Sequence, residues 1–207
     1  MGKSMQILLF STTTSAMKMI EKGDTMYDSI NRTITTERLL LRTFQLSDID
    51  DIARVCNNYN VSKSTLFIPY PYISDYAVAW ISTLEDSFSN EKSYDFAITD
   101  RITKEFYGGI SISHNAVDNN GEFGFWLGEP YWGKGYATEA AKAIISFGFM
   151  EKKFHKVFAR HFESNPASGK VLKKAGMKQE GILLEHIRKN DKYENVVHYG
   201  IIYSSQE

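Results

Sequence analysis

The chain has 207 residues, is 43% hydrophobic and carries a formal net charge of −1. That length fills one well-sized core without room for a second domain, and the near-zero charge excludes the basic stripe that nucleic-acid binding requires. A single cysteine excludes an intrachain disulfide and fits a reducing compartment, and no apolar run approaches the ~20 residues that cross a membrane, so a soluble, cytoplasmic protein is expected.

Residues 1–33 read as an N-terminal extension of unknown role. Gln6-Ile7-Leu8-Leu9-Phe10 is shorter than a secretory apolar region of ~7 to 15 residues. Gln6 stands where myristoylation after Met1-Gly2 expects Ser or Thr. Ser15 to Glu21 has weak helical character. Thr36 to Arg42 then forms an opening strand. Ser47 is placed to cap a helix over Asp48 to Asn58, with acidic residues in its first turn and an apolar stripe of Ile49, Ile52, Ala53 and Val55. Cys56 sits on this helix as a small apolar packing residue rather than a nucleophile. A second helix starts at Ser74 and carries Ala77, Val78, Trp80, Ile81 and Leu84. Between the two lies Phe67-Ile68-Pro69-Tyr70-Pro71-Tyr72, which either packs beneath a long connection or walls a groove.

Strands follow at Tyr94 to Thr99, Phe106 to Ser113 and Gly121 to Leu127, joined by turns at Asp100 to Lys104 and Asp118 to Gly121, which makes a meander. A helix from Gly135 to about Lys153 connects the last of these to a strand at Lys156 to Phe162, a crossover that predicts parallel pairing. A short helix over Pro166 to Ala175 and two strands turned at Lys189-Asn190-Asp191-Lys192 complete the pattern. In the last pair Ile182, Leu184 and Val197, Tyr199, Ile201 alternate.

The turn Trp132-Gly133-Lys134-Gly135-Tyr136-Ala137-Thr138 joins the strand at Gly121 to Leu127 to the following helix. Backbone N–H groups at a helix start lack intrahelical partners and sit at the positive end of the macrodipole, so such a turn suits phosphate. Glycines at 133 and 135 let successive amides face one guest. The spacing fits neither the dinucleotide fingerprint, which would need Gly or Ala where Thr138 stands, nor a phosphate loop, because Lys134 is followed by Gly135.

A second segment follows the Lys156 strand: Asn165-Pro166-Ala167-Ser168-Gly169-Lys170, continuing to Lys174-Ala175-Gly176-Met177. Taken in order, the opening Thr36-Glu37-Arg38-Leu39-Leu40-Leu41-Arg42, the Gly133 to Ala140 turn, Asn165 with Ser168, and Lys174 with Gly176 resemble the GCN5-related N-acetyltransferases (GNAT). The chain is most similar to the subgroup typified by the ribosomal-protein alanine and serine N-acetyltransferases. The resemblance spans about Thr35 to Tyr203. Pro130, where the wider family often has Gln or Arg, and Met177, in place of an aromatic, depart from the pattern.

The resemblance implies one α/β (α+β) domain over residues 34–204. Its mixed, mostly antiparallel, seven-stranded twisted sheet would be flanked by helices and contain a splayed parallel pair. It implies acetyl-CoA as co-substrate, with backbone near Phe125, Trp126 and Leu127 meeting the pantetheine arm and Trp132 to Ala137 holding the pyrophosphate, Lys134 adding charge. Asn165, Ser168 and Lys170 would face the cofactor, Ser168 donating to the leaving thiolate; Asn165 equally suits capping of its helix. Glu122 is the first candidate for general base, sharing a strand face with Gly124 and Trp126, and is equally readable as a surface carboxylate. Tyr136 reads as packing or as an acid, and His161 as a packed residue or a reserve base. No His/Cys spacing suggests a metal site. The implied partners are acetyl-CoA and an amine acceptor, a protein N-terminus foremost and a polyamine, amino sugar or antibiotic otherwise; a non-catalytic acyl-CoA-binding sensor module is the alternative of a different class. The protein itself would be a monomer or homodimer.

Overall fold

The computed structural model describes residues 25–203, so the apolar run at Gln6 to Phe10 and the helical reading of Ser15 to Glu21 lie outside the described residues. Its strands are β1 (Met26–Asp28), β2 (Thr33–Thr35), β3 (Leu39–Thr43), β4 (Ser93–Asp100), β5 (Phe106–Asn115), β6 (Asn120–Leu127), β7 (Lys156–Phe162), β8 (Lys178–Lys189) and β9 (Lys192–Ile202). Its helices are α1 (Ile49–Cys56), α2 (Tyr59–Ser64), α3 (Ser74–Ser89), α4 (Tyr136–Met150) and α5 (Pro166–Lys174).

All nine strands join in one sheet of order β1-β2-β3-β4-β5-β6-β7-β9-β8. The expected count of seven is corrected by β1 and β2, three-residue strands whose shortness hides any periodicity. β1 lies within the segment read as an extension and pairs antiparallel with β2, Tyr27 opposite Ile34. Tyr27 also sets its ring edge-on to Phe147 of α4, which ties this strand to the core.

Alternation along the strands divides the sheet into two faces. One carries Tyr94, Phe96, Ile98, Ile110, Ile112, Phe123, Val157 and Ala159, all buried against Ala140, Ala141, Ile144, Ile145 and Phe147 of α4. α4 comes close because Gly148 has no side chain: a Cβ there would lie 3.1 Å from both Phe154 and Val157. The opposite face is apolar only in part. Ala97 and Phe106 pack with Ile52, Val55 and Cys56 of α1 and Ala77 of α3, and Phe44, Trp80 and Trp126 lean on that cluster. Beside it, the same face presents Asp95, Ser111, Ser113, Glu122, Gly124 and Arg160, which line a cavity between the sheet and these helices.

Two local expectations change. Ser47 lies inside a 3₁₀ turn, Leu46–Asp48, and does not cap α1. Asp48 holds the N-cap position without a side-chain cap bond to α1; its carboxylate accepts from the Gln45 backbone N–H at the start of the 3₁₀ turn at 2.8 Å and is gripped by Arg42 at 2.7 and 2.8 Å. On β8, the edge strand of the sheet, the alternating Ile182 and Leu184 are both exposed.

The start of α4 is pinned to β3 by Glu139. Its carboxylate accepts from the Thr36 hydroxyl at 2.6 Å, the Arg38 amide at 2.8 Å and Arg38 Nε at 2.7 Å. Burial opposes ionisation, but these donors outweigh it and hold the carboxyl below its ordinary 4.5. A depressed carboxyl stabilises the fold above its unfolded value, and the contribution is lost as pH falls through the lower folded value. Glu139→Gln is expected to cost about 1–3 kcal/mol at neutral pH, and urea titrations should show the gap to wild type closing below about pH 4. A gap that stays constant into acid would assign the loss to packing.

Candidate active site

The sheet opens between β6 and β7. They pair in parallel only at Asn120 with Lys156, Gly121 with Val157 and Glu122 with Phe158. Beyond these rungs each strand keeps its outer partner, β6 with β5 as far as Leu127 and β7 with β9 as far as Phe162. The inner edges of Phe123 to Leu127 and of Ala159 to Phe162 therefore face a gap, where backbone polar groups require partners from elsewhere. One such partner is Trp132 Nε1, which donates to the Leu127 carbonyl at 2.8 Å.

At one end of the gap the chain turns into α4. Gly133 (φ 73°) and Gly135 (φ 86°) both occupy the left-handed region, where a side chain is strained. Among the described residues, no protein acceptor sits on the amides from Gly133 to Thr138. Glu139, the acidic residue of that first turn, spends its oxygens on Thr36 and Arg38 and leaves those amides free. Two cations flank the turn: Lys134, and Arg38, whose Nη1 donates to the Lys134 carbonyl at 3.0 Å and whose guanidinium lies 4.7 Å from the Tyr136 ring centre. Tyr136 stacks on Tyr107, which supports its reading as a packing residue. Ala137 and Thr138 are half-buried in the first turn of α4. Free amides, a dipole end and two cations suit a pyrophosphate.

The gap opens onto the cavity on the sheet's partly polar face, which encloses 550 Å³. Phe125, Trp126, Glu122 and Ser168 line it; Lys170 does not, standing exposed on α5. Asn165 does cap α5, accepting from the Ser168 amide at 3.3 Å, and its Nδ2 donates to Ser168 Oγ at 3.0 Å and to the Ser64 carbonyl at 3.2 Å. Ser64 begins the segment that roofs the cavity through Pro69. That roof is held at its other end by Lys189, whose Nζ donates to the Ile68 carbonyl at 2.9 Å. The Phe67 to Tyr72 loop is thus a cavity wall, through Phe67, Ile68, Pro69 and Tyr72.

The titratable groups of the cavity divide by environment. Glu122 is ion-paired with Arg160, Nε to Oε1 at 2.5 Å. His161 is buried, its Nδ1 bonded to the Phe162 carbonyl at 2.7 Å and its Nε2 without a protein partner; burial pushes its pKa down and keeps it neutral. Burial pushes the Cys56 thiol and the Tyr72 phenol up to about 12, so both stay protonated. Asp95 has no cationic partner and accepts only from the Ser93 hydroxyl at 2.6 Å, and burial raises its carboxyl above the ordinary value. Asp95 and Arg160 escape a reading of motifs because neither lies beside the glycine turn or Asn165 in the chain, and Arg38, though part of the opening motif, shows its contact with the glycine turn only in the fold. The alternation that puts Asp95 on the face of Ser111 and Gly124 was the available signal.

Replacing Gly135 by Val would add backbone strain and place a Cβ 3.3 Å from Arg38 Nη2. The strain alone, about 1–3 kcal/mol, should weaken coenzyme A binding about tenfold or more in calorimetry and leave the KM for the acceptor little changed. A rise confined to the acceptor constant would remove the pyrophosphate assignment.

The acetyltransferase (GNAT) domain model matches residues 38–178. A Bacillus subtilis protein named the uncharacterized N-acetyltransferase YnaD is 29% identical over 170 residues, 82% of this chain and 96% of that protein. The spermidine N(1)-acetyltransferase of Vibrio cholerae is 23% identical over 168 residues, 81% of this chain and 94% of that protein. Among solved structures, RimL, a ribosomal L7/L12 α-N-protein acetyltransferase in complex with coenzyme A, superposes with a TM-score of 0.74 at 17% identity, covering 81% of this chain and 95% of that one. With its splayed strands, glycine turn and matched domain in agreement, the chain belongs to the GNAT acetyltransferase family and is an acetyl-CoA-dependent N-acetyltransferase.

Proposed function

We propose that the protein acetylates an α-amino group, foremost that of a protein N-terminus, by direct attack on the thioester of acetyl-CoA within a ternary complex. The observation that carries this reading is the junction of two features: the gap between β6 and β7, headed by the free amides of Gly133 to Thr138, and the roofed cavity into which it opens. The donor would lie along the gap and the amine would enter through the cavity. The subgroup motifs at Gly133 to Ala140 and Asn165 with Ser168, and the structural likeness to RimL, support the choice of a protein N-terminus.

The chemistry needs a neutral amine and a stabilised leaving thiolate. At pH 7 roughly a tenth of α-amines, with pKa near 8, are neutral, against well under a thousandth of alkyl amines near 10.4. The cavity suits the less demanding substrate, because its carboxylate nearest the gap, Glu122, is already engaged by Arg160. In this reading the amine nitrogen forms its bond to the acetyl carbon as the carbon–sulfur bond breaks. The amine proton passes to Glu122, directly or through water, and the thiolate leaves against the Ser168 hydroxyl. Asn165 positions that hydroxyl by its 3.0 Å contact. Phe125 to Leu127 and Trp132 to Ala137 would supply backbone partners to the donor, with Lys134 and Lys170 adding charge at its exposed side.

A small amine is a second reading, favoured by one observation: the cavity holds Asp95, a carboxylate without a cationic partner. Incubation with acetyl-CoA and a panel of N-terminal peptides and small amines, followed by thiol release and product mass, tests both. Release with α-acetylated peptides is expected; coenzyme A binding without thiol release on any amine would overturn the transferase reading at this site. Glu122→Gln is expected to lower kcat about tenfold or more with coenzyme A affinity retained. Wild-type turnover in that variant would assign deprotonation to water or His161.

A further inference from the structure

The cavity extends well past the place where acetyl transfer would occur. Asp95 lies directly opposite Ser111, and Ser111 directly opposite Gly124, so the three residues form one row across β4, β5 and β6 on the same face. Two strand spacings separate Asp95 from Gly124, about 10 Å between Cα atoms. The floor between them is low: Gly124 has no side chain, with open space where a Cβ would stand, and Ser111 is small. Trp80, Tyr76 and Trp126 wall this arm of the cavity. It is a trough with the acetyl gap at one end and a carboxylate at the other.

Charge matching makes that carboxylate distinctive. Glu122 is neutralised by Arg160, and Cys56, Tyr72 and His161 are held neutral by burial. Asp95 is therefore the one carboxyl lining the cavity without a cationic partner among the described residues. Removal from water is costly for a carboxylate unless a cation restores the lost solvation. Aromatic walls add attraction for a cation and for an alkyl chain.

Resting on the transferase reading above, we infer that Asp95 is the distal anchor of the acceptor, so that the site selects amines carrying a second cationic group across the trough. With about 3 Å of that span taken up by an ammonium–carboxylate contact at Asp95, about 7 Å is left between the reacting nitrogen and the second cation, the reach of an alkyl spacer of roughly four to five carbons. The shared chemistry is that of a 1,5-diamine. A free diamine offers it, and so does a peptide whose first residue is lysine, its α-amine reacting while its ε-ammonium meets Asp95.

The test pairs each dication with its singly charged partner: 1,5-diaminopentane with pentylamine, and a peptide beginning with lysine with the same peptide beginning with norleucine. Wild type and Asp95→Asn are compared by kcat/KM, and binding of the two small amines in the presence of coenzyme A is measured by calorimetry. Wild type should prefer the dication in at least one pair by about tenfold or more, and D95N should erase that preference with norleucine-peptide or pentylamine turnover and coenzyme A affinity unchanged. Preference in the peptide pair assigns the cation to a peptide N-terminus; preference in the diamine pair alone keeps Asp95 as anchor and assigns the cation to a free diamine. Asp95-dependent diamine binding without any turnover keeps the anchor and overturns the transfer reading. Equal use and equal binding of charged and uncharged partners by wild type, or an equal loss on all substrates in D95N, would overturn the inference.

Discussion

Everything at this site depends on the failure of β6 and β7 to remain paired after Glu122. Each strand is hydrogen-bonded along its whole outer edge, so the sheet does not unravel when the inner ladder stops. The inner edges are left as unpaired backbone inside the fold, a condition proteins tolerate only where something else bonds to it. Trp132 meets part of the need. The remainder is what an extended, amide-bearing ligand can complete, as an added strand would. The same opening joins the two faces of the sheet, so a donor entering beside α4 reaches a cavity on the side of α1 and α3.

Both ends of the gap are held by polar contacts that reach far along the chain. Glu139 uses its oxygens to bind Thr36 and Arg38, which fixes α4 to β3 and frees the preceding amides for a ligand. Asn165 bonds at once to Ser168 and to Ser64, so α5 and the roof of the cavity share one side chain. Lys189 completes the roof from the β8–β9 hairpin, despite burial that pushes its pKa down. The roof is thereby tied to the cap of α5 through Asn165.

Much of the fold was legible from the residues. The meander, the crossover helix and the final hairpin follow from alternation and helical spacing, and the turn at Asn190 and Asp191 takes the positive φ values that such residues tolerate. Gly133 and Gly135 were legible for the same reason: only a left-handed turn explains two glycines there. β1, β2 and α2 were not, since three to six residues span too few periods to show one. Of the candidate site residues, Ser168 and Glu122 line the cavity, while Asn165 bonds to Ser168 and to the roof, and Lys170 stands outside. Glu122 arrives paired to Arg160, a contact between strands that are 38 positions apart in sequence.

By itself the sequence determined the local geometry: which segments alternate, where helices begin, and where backbone amides are left exposed to an anion. These properties arise from dihedral preferences and from side chains a few positions apart. The tertiary structure alone decided which charges meet. Register across β4, β5 and β6 brings Asp95 into line with Gly124, and the short β6–β7 ladder brings Arg160 onto Glu122. Such pairings depend on strand order and on which face each strand turns inward, and a shift of one residue in register would invert them. A turn suited to an anion was therefore legible in the seven-residue run from Trp132 to Thr138, whereas the charges that meet in the cavity are brought together only by the folded sheet.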